Sequence, residues 1–196
     1  MQLSLLIPTL PSRIKSYSHL ISVLSGQIKA SRVEKSVEIL SLMDCKRMTV
    51  GDKRNHLVEL AKGKYVAFID DDDTISRDYV SKLLEGIQYG EDVVTFCGDY
   101  LISGVKDADF KISVTCRGNY EQNNCHYRLP NHLCPVRRSI ALQCKFPNTS
   151  YGEDSDYSTQ INRLIKSEYH FIDKLYFYNY DPKVTQTAPG HQSKIF

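Results

Sequence analysis

The sequence predicts an α/β fold with a central, mostly parallel sheet flanked by helices. Three observations carry that expectation. Short apolar runs alternate with helix-spaced segments through the first hundred residues. The run Tyr65-Val66-Ala67-Phe68-Ile69 is wholly apolar and runs straight into four aspartates, as a strand buried on both faces would where it meets a site. The chain has 196 residues, the length of one domain with a core large enough to fold without a staple.

The elements follow in order. Residues 3–7 form an apolar run stopped by Pro8 and Pro11, a buried strand ending in a loop. Ser12 is placed to cap a helix carrying Ile14, Leu20, Ile21, Val23 and Leu24, which should end near Gly26. Val37–Met43 reads as a second strand with Asp44 at its end. Residues 51–62 have helical spacing through Leu57, Leu60 and Ala61, with Gly63 as the C-cap. After the aspartates, Tyr79, Val80, Leu83, Leu84 and Ile87 mark an amphipathic helix, and residues 93–96 a strand. From Gly98 the rhythm changes: residues 99–135 mix short β-like runs and polar loops with no clean helix. Short helices are expected over 137–142 and 154–165, and an aromatic strand over 169–180. The last fifteen residues, with Pro182, Pro189 and Gly190, read as a mobile loop. No linker divides the chain, so 1–196 is a single domain with a nucleotide-binding half, 1–97, and an acceptor-side half, 98–196.

Composition narrows the function classes. The chain is 41% hydrophobic and 24% charged, as a globular domain is. A formal charge of +2 and a pI near 8.1 fall short of a nucleic-acid-binding signature. Six cysteines show no Cys-x-x-Cys pair and no zinc-ligand spacing with histidine. No 18-residue apolar stretch offers a membrane span, and the first residues lack the charge and length of a signal peptide. Free thiols in a reducing cytoplasm are expected.

Four successive carboxylates, Asp70, Asp71, Asp72 and Asp73, repel one another and need positive charge among them. In an extended segment Asp70 and Asp72 share one side and Asp71 and Asp73 the other. A hard divalent ion with oxygen ligands, Mn²⁺ or Mg²⁺, suits such a cluster, with substrate phosphates completing its shell. The plainer alternative is a polar turn capping the next helix.

Here the chain resembles a family. The stretch Gly51-Asp52-Lys53-Arg54-Asn55, the step Gly63-Lys64-Tyr65 and the strand closing in Asp70-Asp71-Asp72-Asp73 resemble the family 2 glycosyltransferases of the GT-A fold, as does Ile7-Pro8-Thr9 with Arg13. The resemblance covers about residues 3–97 and resumes at Gly152-Glu153-Asp154. It implies a donor site for a nucleotide-diphosphate sugar, UDP-sugar above all, formed by Pro8, Thr9, Arg13, Asp44, Arg54, Asp70 and Asp71. It implies Asp72 and Asp70 as metal ligands, Asp44 at the base, and Arg54 at the diphosphate or nucleotide. His191, in Pro189-Gly190-His191, is a candidate further ligand, with His170 behind it. The implied reaction is metal-dependent transfer with inversion.

The acids of Tyr151-Gly152-Glu153-Asp154-Ser155-Asp156 suit the positive end of a helix dipole. By the resemblance Asp154 is the base that takes the acceptor's proton, Glu153 orients a substrate, and Asp156 is the reserve. Asn131, His132 and Arg138 are expected on the acceptor side, and Tyr151 or the aromatics of 176–180 could stack on a sugar. The acceptor stays open among a glycan, a lipid-linked sugar, a protein side chain and a hydroxylated DNA base. Two other readings remain. Asp70-Asp71-Asp72-Asp73-Thr74 also fits the Asp-x-Asp-x-Thr motif of haloacid-dehalogenase-like phosphatases, with Asp70 as nucleophile and Asp72 as acid/base, although two strand–helix units precede it here. A non-catalytic nucleotide-sugar-binding domain is the other. A sugar-nucleotide pyrophosphorylase would want a glycine-rich first loop, which Pro8 to Arg13 does not supply.

Overall fold

The computed structural model describes residues 1–181; the loop expected over 182–196, and His191 with it, lie outside the described residues. The chain forms β1 (Leu3–Thr9), a 3₁₀ turn (Pro11–Arg13), α1 (Ile14–Ala30), β2 (Val37–Met43), α2 (Val50–Leu60), β3 (Tyr65–Phe68), β4 (Thr74–Ile75), α3 (Tyr79–Gln88) and β5 (Val93–Ile102). There follow β6 (Val105–Ile112), β7 (Tyr120–Gln122), β8 (Cys125–Arg128), β9 (Val136–Arg137), α4 (Arg138–Ala141), α5 (Glu153–Leu164) and β10 (Glu168–Tyr180).

One ten-stranded sheet runs β2-β1-β3-β9-β5-β6-β8-β7. β1 is parallel to β2 and β3, in register from Leu3 onward. That central position explains the composition of β1: Leu3, Leu5, Leu6 and Ile7 are all fully buried, and a strand covered on both faces is apolar throughout rather than alternating. The short β9 enters antiparallel between β3 and β5. β10 takes the other edge of β5 in parallel and also pairs β4. The sheet is parallel across β2, β1 and β3 and mixed beyond.

Several boundaries differ from the expectation for identifiable reasons. β1 runs on through Pro8 to Thr9. Ser12 does not cap α1; it sits inside the 3₁₀ turn, and α1 passes straight through Gly26 to Ala30, because Leu20, Leu24 and Ile28 keep one face buried. Gly63 is not the cap of α2, which Ala61 ends in an extended conformation. Gly63 answers a close approach instead: a Cβ there would lie 2.6 Å from the Ser4 amide nitrogen. β5 does not stop at residue 96; Gly98 admits the ring of Phe110 and the backbone of Tyr176, and the strand continues to Ile102. All six cysteines carry free thiols. Among the described residues, no helix is long and apolar enough to cross a membrane.

Candidate active site

The third strand delivers the four acids to the end of the sheet where β1 also finishes. They form a tight turn, in which the Asp73 amide donates to the Asp70 carbonyl at 3.1 Å. The alternation expected of an extended segment persists in exposure: Asp71 and Asp73 are buried, while Asp70 and Asp72 face the cleft. Each buried acid has its own partners. Asp71 accepts from Thr9 Oγ1 at 2.5 Å and from Arg13 Nη1 at 2.6 Å. Asp73 accepts from the Tyr176 hydroxyl at 2.6 Å and from the Asn179 amide at 2.8 Å, and the same Tyr176 oxygen accepts the Asp70 amide at 3.1 Å. β10 therefore holds the turn from one side and the end of β1 from the other.

The positive charge that the four acids need comes first from arginine. Arg13 Nη2 lies 3.2 Å from Asp72, and Arg54 Nη2 donates to Asp70 Oδ1 at 2.9 Å. Burial would raise the Asp70 carboxyl, yet Arg54, then His132 and Arg13, hold it well below the usual carboxylate range. Asp72 goes the other way. Burial, with Asp70 and Asp71 beside it, pushes its carboxyl up to about 6 against the pull of Arg13. Asp73 is raised well above the usual range by burial and by Asp70 and Asp72.

Helix α2 joins this turn to the second acidic motif. Thr49 caps it, accepting from the Asp52 amide at 3.1 Å and donating to Asn148 at 2.9 Å. Gly51 lets the loop at Pro147 pass directly against the helix, and its amide donates to the Thr149 carbonyl at 3.0 Å. Asn55 closes a two-bond clamp on the Phe146 backbone, donating at 2.9 Å and accepting at 3.0 Å. The loop so held leads into Gly152, whose left-handed backbone (φ 74°) turns the chain into α5. Glu153 and Asp154 open that helix and line the same cleft as Asp70 and Asp72. The cleft encloses about 1050 Å³. Glu153 is buried, which raises its carboxyl despite Arg54 nearby.

Of the residues singled out in the sequence, Pro8, Thr9, Arg13, Arg54, Asp70, Asp71, Asp72, Glu153, Asp154, Asn131, His132 and Tyr151 all line the cleft. Four others do not. Asp44 is engaged by its own neighbourhood: one oxygen accepts the amides of Arg47 and Met48 at 2.6 and 2.8 Å, and the other pairs with Lys53. Burial would raise this carboxyl, but Lys53 and the two amides bring it below the usual range. Arg138 bonds the Val58 and Glu59 carbonyls at the end of α2. His170 sits against Thr95 at 2.9 Å, on the stretch of β10 that pairs Val93 to Thr95. Asp156 faces solvent on the first turn of α5. His191 lies outside the described residues. Sequence reasoning missed Tyr176 as the clasp of the acid turn, since that contact joins segments far apart in the chain, and Lys53 as the partner of Asp44, since that pairing depends on how α2 lies against the end of β2.

The donor set fits a hard divalent ion. Asp70 and Asp72 present carboxylate oxygens to the cleft, the hard donors such an ion takes. Among the described residues, no three histidine, cysteine or acidic side chains gather as a metal cluster, so donor phosphates would have to supply the remaining ligands.

Comparison with known proteins bears on the whole arrangement. The structure resembles S. aureus TarS 1–349, with a TM-score of 0.61 and 18% identity over 91% of this chain. It covers 60% of that chain, so it spans about three fifths of the length of that relative. The same TarS fragment in complex with UDP-GlcNAc matches with a TM-score of 0.61 and 17% identity, over 92% of this chain and 59% of that one. The catalytic domain of Drosophila beta1,4galactosyltransferase 7, in complex with xylobiose, gives 0.58 and 16%, over 89% of this chain and 67% of that one. At such identities the likeness concerns the fold. No curated protein matches the sequence. The family model "Glycosyl transferase family 2" matches residues 42–151, a span that runs from the end of β2 through α2 and the acid turn to the loop before α5. More than half of the sequence lies in that match, and the chain belongs to glycosyl transferase family 2.

Proposed function

We propose that this domain transfers a sugar from a nucleotide-diphosphate sugar, UDP-sugar foremost, to an acceptor hydroxyl, with a divalent ion and with inversion. One observation carries the reading: the two acidic motifs, about eighty residues apart in the chain, line one cleft. The family match supports it, as do the complexes of S. aureus TarS with UDP-GlcNAc and UDP.

Thr9 and Arg13, already fixed on Asp71, hold the donor's nucleotide end. Asp70 and Asp72 would hold Mn²⁺ or Mg²⁺, with His191 as a further candidate ligand; the ion, when bound, neutralises charge developing on the departing diphosphate. Asp154 takes the proton of the acceptor hydroxyl. The acceptor oxygen then bonds to the anomeric carbon from the face opposite the leaving group, and the bond to the diphosphate breaks with its electron pair. Glu153, held beside Arg54, orients the sugar. Inversion rests on the family resemblance.

The test is nucleotide release from UDP-, GDP- and dTDP-sugars with Mn²⁺ and a panel of glycan, lipid-linked, peptide and hydroxylated-DNA acceptors. The expected result is UDP release that requires the ion. Asp154→Asn should lower kcat by about 10²- to 10⁴-fold with UDP affinity unchanged, and His191→Ala should weaken Mn²⁺ binding. Phosphate release from simple phosphomonoesters would favour the haloacid-dehalogenase-like alternative. UDP binding without turnover on any acceptor would favour the non-catalytic one.

A further inference from the structure

Arg54 is an unusual cation. Only 4% of the residue is exposed, and its guanidinium lies between two phenylalanine rings, 5.4 Å from the centroid of Phe68 and 5.5 Å from that of Phe146. Burying a charge in such surroundings is costly unless it is paired and fully hydrogen-bonded. Arg54 is paired but not fully bonded. Nη2 reaches Asp70 at 2.9 Å, Nη1 stands 3.7 Å from Glu153, and both Nε and Nη1 lack a hydrogen-bond partner while shut off from solvent.

A side chain that bound phosphate directly would turn its free N–H groups to the cleft. Here Nε and Nη1 are shut off from solvent, the one well-made bond goes to Asp70, and Nη1 faces Glu153. The side chain spans the two acidic motifs, and its rigid planar fork presents N–H groups to two carboxylates in a fixed geometry. Its helix is fixed at two points to the loop before α5, by the Asn55 clamp on Phe146 and by the Gly51 contact with Pro147.

We infer that Arg54 is a positioning residue, a strut setting the separation of the donor-side acid Asp70 from Glu153 and the adjoining Asp154, and that it does not touch the donor. This rests on the proposed transfer reaction and says how that site keeps its dimensions. A misplacement of about 1 Å in such a site costs about 100-fold in rate, so the strut acts on turnover rather than on binding.

The experiment compares Arg54→Gln and Arg54→Lys with the unaltered protein, reading kcat and donor KM by UDP release and UDP affinity by calorimetry. The strut predicts that Arg54→Gln lowers kcat about 10- to 100-fold while donor KM and UDP affinity stay within about threefold, and that lysine, keeping the charge but not the fork, restores part of the rate. In a cycle with Glu153→Gln, the two losses should fall well short of multiplying. A tenfold weakening of UDP with kcat nearly intact makes Arg54 a phosphate clamp and overturns the inference, as do losses that multiply. If Arg54→Gln fails to fold, Arg54→Lys gives the same division between kcat and affinity; if neither folds, the role is structural and the inference falls. If the unaltered protein binds UDP but never turns over, the transfer reading fails on its own account. The cycle is then read in thermal unfolding, where additive effects of Arg54 and Glu153 remove the strut and non-additive ones retain it.

Discussion

At the scale of single residues, Asp72 and Asp70 show how one turn makes two kinds of carboxylate. Two positions apart, they differ in which arginine serves them: Asp70 has the buried Arg54, while Asp72 shares Arg13 with Asp71. The sign of the Asp72 shift yields a prediction. Its folded value of about 6 lies above the ordinary 3.8, so the folded state favours the protonated form. Ionising Asp72 therefore costs stability, a cost that sets in as pH rises above the ordinary value and is complete above about 6. Without metal, Asp72→Asn should be more stable than the unaltered protein at pH 7.5 by about 1–3 kcal/mol, and the gain should vanish at pH 4. Urea denaturation at the two values measures it. Added Mn²⁺ should stabilise the unaltered protein and not the variant, since the Asp72 carboxylate is what the ion would meet. The four acids were legible in the sequence as a site that needs positive charge. That the charge comes first from Arg13 and Arg54 was not, because pairing across β1, α2 and β3 depends on the register of a sheet that no local pattern encodes.

Among elements, α2 is the one whose sequence is most fully explained. Each distinctive residue of Gly51-x-x-Arg54-Asn55 serves a separate contact: Gly51 and Asn55 hold the 146–149 loop, and Arg54 meets the acids. Gly51→Ala would thrust a methyl group into the backbone of Pro147 and displace the chain leading to Glu153 and Asp154. It should destabilise by about 1–3 kcal/mol and lower kcat at least tenfold even at temperatures where the variant is folded. Gly26→Ala makes the contrasting case. Gly26 lies on the exposed face of α1 with nothing within 4 Å of a new methyl group, so alanine should raise stability by about 0.5–1 kcal/mol and leave turnover unchanged. Thermal unfolding of the two variants separates a glycine needed for contact from one that is merely tolerated. The same pair shows why the end expected for α1 was misplaced. A glycine late in a helical pattern reads as a stop, but the buried stripe of Leu20, Leu24 and Ile28 carries the helix past it. Strand β3, α3 and β10 were legible because their apolar spacing is strong. The continuation of β5 through Gly98 was not, since the reason is the ring of Phe110 on the neighbouring strand.

For the whole molecule, the boundary drawn at residue 97 is not one at which the chain could be cut. β9 lies between β3 and β5, β10 runs the length of β5, and the loop before α5 packs on α2. The full chain should therefore unfold in one cooperative step, with the calorimetric and van 't Hoff enthalpies equal. Residues 1–97 alone should give neither a cooperative transition nor binding of UDP. Two transitions, or a folded and UDP-binding fragment, would contradict this.

The clasp formed by Tyr176 also has a temporal consequence. Its hydroxyl fastens Asp70 and Asp73 from within the second half of β10, a stretch the ribosome makes more than a hundred residues after the acids themselves. On a chain still being translated, the aspartate turn waits unfastened until that tyrosine clears the exit tunnel. Nascent chains stalled before it should be unable to retain nucleotide, and competence should appear only once the strand is free to dock.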